Sequence, residues 1–416
     1  MGRVGRFVLK VAAVLILIIS VGVFALSLFT GETRNGNNLQ SEFDYLITVG
    51  ISQSGEDSLW KEANTKSFMD TFIEANGYEA VYADAGTDQE KQIEDIEGFI
   101  AQDVDYIILN PVCEMGWDDV LKEAKKAHIP VILVNNSIDT EDSGLYACTL
   151  GSDYEKQMKK AGKWLNEYLK AEEEKKAEEE SESDSGILDK IMDSAKSADN
   201  AEESKTSDST KNSKTADDSN TTKSSTDSAK AAKEDASDST KASEDTGADE
   251  KTEIVAIQEF IGSEEQMVRA QGYQTMLEKY SDWEMVAQQT GDDSREEAKK
   301  VMTLFLEQDP DLKVVFAESD EMALGAIEAI EEAGRTCGQD GEIIVISFGG
   351  SKEGIEAVKE GTLNVTFECN PNQGPKAAEL IQRLESSISI DKEQYVEETY
   401  FDGTMDLDEI IENRTY

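Results

Sequence analysis

Histidine and cysteine are nearly missing from this sequence. His128 is the one imidazole, and Cys113, Cys148, Cys337 and Cys369 are the four thiols. None of the five stands at a spacing from another that holds zinc, so a Cys/His metal site is excluded. The imidazole sits in an Ala-His-Ile-Pro segment that has the pattern of a helix end, which leaves no base for a Ser-His-Asp arrangement. No phosphate-binding loop and no carboxylate pair with definable roles is visible, so no cofactor is expected and an enzyme is not the reading. Spacing leaves the thiols mostly free, with Cys148–Cys369 the one pairing kept open.

Positive charge is the next shortage. The 40 Lys and Arg are outnumbered by 88 Asp and Glu, for a net charge of −48. Nucleic acid and anionic lipid both call for a basic surface, and neither suits such a chain as a partner. Apolar residues are also few, at 38%, and one stretch accounts for much of the deficit. Residues 171–250 hold 24 Asp and Glu against 11 Lys, with no Trp, Tyr, Phe or Pro. Such a segment cannot bury enough apolar area to offset its ordering entropy, and it is predicted to be a disordered insertion. Lys156 to Glu174 reads as a charged helix leading into it, and Gly186 to Ala195 as a transient helix within it.

What the chain does have begins with a membrane segment at 1–35. Arg3, Arg6 and Lys10 precede an apolar run from Val11 to Phe29. The run is longer than the core of a cleaved signal and just long enough to span a bilayer. Positive residues ahead of it keep the N-terminus cytoplasmic and send the rest outward. The expectation is an N-terminal transmembrane helix holding the protein at the outer face of the cytoplasmic membrane. Cleavage near Ala25-Leu26-Ser27, with secretion, is the alternative. A polar tether follows at 36–43.

From residue 44 strand and helix patterns alternate. Ile47 to Phe72 is a strand, a polar loop and a helix, the first half of a βαβ unit. Buried-strand runs recur at Asp105 to Asn110 and Pro130 to Asn135. After the insertion they return at Ile254 to Gln258, Lys313 to Ala317, Ile343 to Ser347 and Asn364 to Glu368, with Tyr395 to Tyr400 as a last strand. Strands separated by helical patterns mean parallel α/β sheets, here in two similar lobes. Ligands in such sheets sit outside the carboxyl ends of the strands, so Gln53, Asp57, Trp60 and Lys61 are expected to line a cleft. The insertion joins a helix to a strand and falls at the opposite end.

The residues at 49–61 (VGISQSGEDSLWK), 99–139, 314–334 (VVFAESDEMALGAIEAIEEAG) and 365–380 (VTFECNPNQGPKAAEL) resemble the sugar-binding proteins of bacterial ABC transporters, of the type I periplasmic-binding fold, and most nearly the galactofuranose- and ribose-binding branch. The resemblance implies two Rossmann-like lobes joined by a three-segment hinge, closing on a sugar. The first lobe is then 44–151 with 370–398, and the second 152–170 and 251–369 with 399–416. Crossings are implied near Gly151–Asp153, Cys369–Pro371 and Glu398–Tyr400.

It also implies a ligand set. Asp57, Trp60 and Lys61 match a sugar-contacting loop, with Lys61 where the branch has Arg. Asn135 and Asn136 stand in place of an Asp-Arg pair. Arg269 matches a second-lobe Arg that donates to the sugar. Ser319 replaces an Asn ligand, Asp320 is retained, and Gly349 stands where the family has Asp. Glu368 or Asn370 matches a hinge-strand ligand. Trp60 and Trp117, which begin helices, could supply the aromatic face that sugars favour. Bland roles compete for several of these: lobe packing for both Trp residues, a cap for Asp320, a turn for the two Asn. The function implied is capture of a small carbohydrate or similar polar solute for an ABC permease. The alternative is a membrane-held sensing subunit that reports to a histidine kinase. A repressor of this fold would begin with a DNA-binding helix-turn-helix, and a membrane segment stands there instead.

Overall fold

A computed structural model describes residues 45–55, 58–199 and 251–416. The expected membrane segment and tether, Asp57, and residues 200–250 of the insertion lie outside the described residues. No helix among the described residues is long and apolar enough to cross a membrane.

The first lobe is built from β1 (Ile47–Gln53), α1 (Leu59–Thr71), β2 (Tyr78–Asp84), α2 (Gln89–Ala101), β3 (Tyr106–Leu109), α3 (Asp118–Lys126), β4 (Val131–Val134) and β5 (Cys148–Gly151). The second holds α4 (Tyr154–Asp199), β6 (Thr252–Gln258), α5 (Glu264–Lys279), β7 (Trp283–Thr290), α6 (Arg295–Gln308), β8 (Val314–Ala317), α7 (Asp320–Glu332), β9 (Ile344–Gly349), α8 (Lys352–Glu360) and β10 (Val365–Glu368). The chain then adds α9 (Gly374–Glu385) and β11 (Glu393–Tyr395) to the first lobe, and β12 (Tyr400–Asp402) and α10 (Asp408–Asn413) to the second. The sheet orders are β11-β5-β4-β3-β1-β2 and β12-β10-β9-β8-β6-β7. Every pairing is parallel except that of β12 with β10.

The sequences explain these elements. β3 (YIIL), β4 (VILV) and β8 (VVFA) are buried at every residue, as strands with helices on both faces must be. Helix starts carry side-chain caps: the oxygens of Ser58, Asp88, Ser263, Ser294, Ser319 and Ser351 each accept a backbone N–H from the first turn. Each cap contributes about 1 kcal/mol. α4 and α5 pack closely through Gly162 and Gly272, where an added Cβ would meet Met276 Sδ at 2.5 Å and Met158 Cγ at 2.6 Å.

Two expectations need correction. Tyr395 to Tyr400 is not one strand but the two short strands β11 and β12, because the chain changes sheets between them. Order also does not stop at residue 170, since α4 runs on to Asp199. Its stem is docked by Met158, Ala161 and Leu165 in the second-lobe core and by ion pairs from Glu172 to Lys313 (3.6 Å) and Lys175 to Asp340 (3.6 Å). Nucleation is the costly step of helix formation, and a docked stem removes it. Ala, Glu and Lys, which fill 171–179, are strong helix formers and propagate the turn beyond the docked stem.

Candidate functional site

The carboxyl ends of the two sheets carry polar residues of different kinds. On the first-lobe side they are amides. Asn110 Nδ2 donates to Gln53 Oε1 at 2.9 Å, and Gln53 Nε2 donates to Asn64 Oδ1 at 3.2 Å. Asn135 follows β4 in the left-handed region (φ 63°), which Asn tolerates. Its Nδ2 donates to Asn64 Oδ1 at 3.3 Å and its Oδ1 accepts from Gln373 Nε2 at 2.6 Å. Asn136 Nδ2 donates to the Pro111 carbonyl at 3.0 Å. Half-buried Trp60 donates from Nε1 to the Cys369 carbonyl at 2.7 Å, so the start of α1 touches the hinge. Lys61 is half-buried in the first turn of α1.

On the second-lobe side the groups are ionic. Arg269, on α5, is only 1% exposed. Its guanidinium lies between the Tyr154 and Phe348 rings, 5.0 and 4.7 Å from their centroids. Its NH1 stands 4.0 Å from Glu259 Oε1, and its NH2 points at Cys369 Sγ at 3.8 Å. Burial alone would lower the Arg269 pKa, but Cys369, Glu318, Glu259 and Tyr154 around it outweigh that and raise it. Burial pushes Glu259 up to about 8 and also raises Glu318, with Arg269 opposing in both cases. Glu318 Oε2 accepts the Glu259 backbone N–H at 3.0 Å. Glu318 is flanked by the Tyr273 hydroxyl and the Gln258 amide, which oppose the rise in its pKa, while Arg269 Nε and NH1 are buried without a hydrogen-bond partner.

The hinge joins the halves. Glu398, in the third crossing, accepts from Ser152 Oγ of the first (2.6 Å), from the Asn370 N–H of the second (3.0 Å) and from Gln157 Nε2 (2.8 Å). Beside the hinge a cavity of about 660 Å³ separates Asn135, Asn136 and Ser137 from Glu264, Met267 and Gln271. At its edge the Ser137 N–H donates across the lobes to Glu264 Oε2 at 3.2 Å.

A family model of the periplasmic binding protein domain matches residues 49–197 and 184–386. The chain belongs to the periplasmic binding protein family. Among its relatives is the galactofuranose-binding protein YtfQ of Escherichia coli K12, 27% identical over 81% of each chain. A Mycobacterium smegmatis protein solved with β-D-fucofuranose is 29% identical with a TM-score of 0.59, over 86% of this chain and 92% of that one. The binding component of the arabinose ABC transporter of Shewanella sp. ANA-3, solved with L-arabinofuranose, is 27% identical with a TM-score of 0.59 over the same shares.

Several residues singled out from the sequence prove to be tied up inside this periplasmic binding protein. Asp320 is fully engaged: Oδ1 accepts from Ser347 Oγ (2.5 Å) and Thr366 Oγ1 (2.6 Å), and Oδ2 from the Ser351 N–H (2.6 Å). It binds β9, β10 and α8 together rather than offering an oxygen to a solute. Gly349 fits this clamp, because at φ 147° an added Cβ would lie 2.6 Å from Asp320 Oδ2. Ser319 caps α7. Glu368 turns away from the cleft to Arg414 NH1 (2.9 Å), Tyr416 Oη (3.2 Å) and the Thr399 N–H (3.2 Å). Asn370 has both side-chain polar atoms in hinge bonds, to the Glu397 carbonyl and from the Asn372 N–H. Trp117 is first-lobe core, with Nε1 on the Cys113 carbonyl, and gives no aromatic face. All four cysteines are free, Cys148 and Cys369 included. Glu259, Glu318, Tyr154 and Asn64 were not singled out. The signal for Glu259 and Glu318 was available, since each directly follows a buried strand.

Proposed function

We propose that this protein captures a small carbohydrate or related polyhydroxylated solute between its lobes and delivers it to an ABC importer. It would act outside the cytoplasmic membrane, held there by residues 1–35 or released after their cleavage. What supports this reading is a cavity of about 660 Å³ lined from both lobes, by Asn135, Asn136 and Ser137 on one side and Glu264, Met267 and Gln271 on the other. Amides on one lobe and a buried, incompletely bonded Arg269 cluster on the other supply the hydrogen bonds that hydroxyls need. Asp57, Trp60, Lys61, Asn135, Asn136 and Arg269 are the residues we assign to the solute. A contact made by one lobe alone does not favour closure; a solute gripped by both does. The names of the relatives, which cite galactofuranose, fucofuranose and arabinose, support a sugar as first choice.

The test is calorimetry of the exported portion against pentoses, hexoses and furanosides, with small-angle scattering to follow closure. Binding with compaction is the expected result. A panel that leaves both heat and scattering unchanged overturns the reading.

A further inference from the structure

The cavity beside the hinge is longer than one sugar. A single face of α5 lines it from end to end, through Glu264, Val268, Gln271, Thr275 and Lys279. These positions recur every three or four residues, the stripe of one helix face. α5 has 16 residues, and its axis is roughly 24 Å long. A sugar ring is as long as one helical turn, about 5.4 Å, so the trench has room for about four rings. The trench meets the solute site at one end only. Asn135 and Asn136 stand there with Tyr154, whose ring covers the Arg269 guanidinium at 5.0 Å. From that end it leaves the cleft along α5, and β11 adds Gln394 and Tyr395 from the first lobe.

The lining suits a neutral polyol. Four carboxylates and three lysines are set in it, so its charge nearly cancels, in a chain that carries −48 overall. Gln271, Thr275 and Gln394 offer both donors and acceptors. Met267 and Tyr395 are 52% and 43% exposed, apolar surface that the lobes themselves leave uncovered. A sugar ring presents the matching pair of surfaces, with hydroxyls at its edge and C–H groups on its face for an aromatic ring to pack on. Resting on the sugar-binding reading, we propose that the solute is a neutral oligosaccharide, of about four units by the length of α5. Its terminal unit is held between the lobes by Asn135, Asn136 and Arg269. The following units run out along α5 past Gln271 and Thr275, with one ring against Tyr395. The cleft then selects the first sugar, and the trench selects the length of the glycan attached to it.

The experiment is calorimetry of the full chain with arabinofuranosyl, galactofuranosyl, fructofuranosyl and glucosyl series, each from the monosaccharide to the pentasaccharide. In a series that binds, affinity is expected to climb with length and level off near the tetrasaccharide, which binds at least about tenfold more tightly than its monosaccharide, the gain of one or two net hydrogen bonds. Thr275→Trp, on the exposed face of α5 beyond Arg269, should remove that gain and leave the affinity of the monosaccharide unchanged. Tyr395→Ala should reduce the gain from the other lobe, and it decides should the Trp variant not fold. A monosaccharide that binds as tightly as its tetrasaccharide overturns this proposal and leaves the sugar-binding reading standing, as does a gain with length that both variants keep. If no monosaccharide and no oligosaccharide binds, both fall.

Discussion

The two halves of the cleft solve the problem of buried polarity in opposite ways. The first lobe uses amides that donate and accept in a chain, from Asn110 to Gln53 to Asn64 and on to Asn135 and Gln373. The second uses ionisable groups, with Arg269 and Glu318 buried and Glu259 half-buried. An amide chain spreads its energy over many weak bonds, each worth about 0.5–1.5 kcal/mol net. A buried charge concentrates it, because removing one partner leaves the other uncompensated. The amide face is thus tolerant and insensitive to pH, and the ionic face is neither.

The largest effect expected from this contrast is in stability. Asp320→Ala would orphan Ser347, Thr366 and the Ser351 N–H and should cost about 3–5 kcal/mol. Asn64→Ala removes bonds to Gln53, Asn135 and the Pro371 carbonyl and should cost about 1–2 kcal/mol. Urea denaturation of both variants measures the difference, and equal losses would break the comparison.

Binding comes next. Arg269→Ala should weaken the solute by roughly 10- to 150-fold, the range for losing one or two charge-assisted bonds. Asn136→Ala should weaken it by about tenfold or less, since its bonds are neutral. Calorimetry on the two variants would reverse the roles of the lobes if Asn136 proved the more costly.

The pH response is smaller over a practical range. Glu259 has a folded pKa of about 8, above its ordinary value of 4.5. The folded state therefore holds a proton that the unfolded chain has lost, so this group's contribution to stability falls as pH rises between those values. Between about pH 6.5 and 7.5 the loss is at most about 1.4 kcal/mol. The ligand-free Glu259→Gln protein should lack that slope, and Gln53→Ala, on the amide side, should keep it. Thermal melts at the two pH values compare them.

The same contrast explains what could be read from the sequence. The strands were legible because runs such as VILV and VVFA have no solvated face, and helix starts because Ser or Asp precedes them. Asn135 and Asn136 stood out through the family resemblance, and they directly follow a buried strand. Glu259 and Glu318 occupy the equivalent position, but in a chain with 88 acidic residues a carboxylate passes for surface. Burial is what distinguishes them, and burial is a property of the packed lobe. Asp320 and Glu368 were misjudged for a related reason. A residue at a strand end or helix start has a face turned to the cleft and another turned into its own lobe, and only the partners, here Ser347 and Arg414, show which is used. The length of α4 was hidden because composition reports what cannot be buried, not what a docked stem can propagate.

The smallest expected effect concerns Glu398, which belongs to neither half. Its carboxylate accepts from Ser152, Asn370 and Gln157 and so holds all three crossings at once, with burial keeping its pKa raised. Glu398→Gln keeps an oxygen for Ser152 and Asn370 but turns an amide donor toward the Gln157 donor. One bond is lost, for about 1 kcal/mol of stability. Solute affinity should change less than about threefold, because a contact present in both open and closed lobes cannot bias the equilibrium between them. Scattering on the ligand-free variant should match the wild type. A shift of affinity beyond about tenfold would mean that the hinge network itself changes on closure, and that binding selectivity is not confined to the two faces.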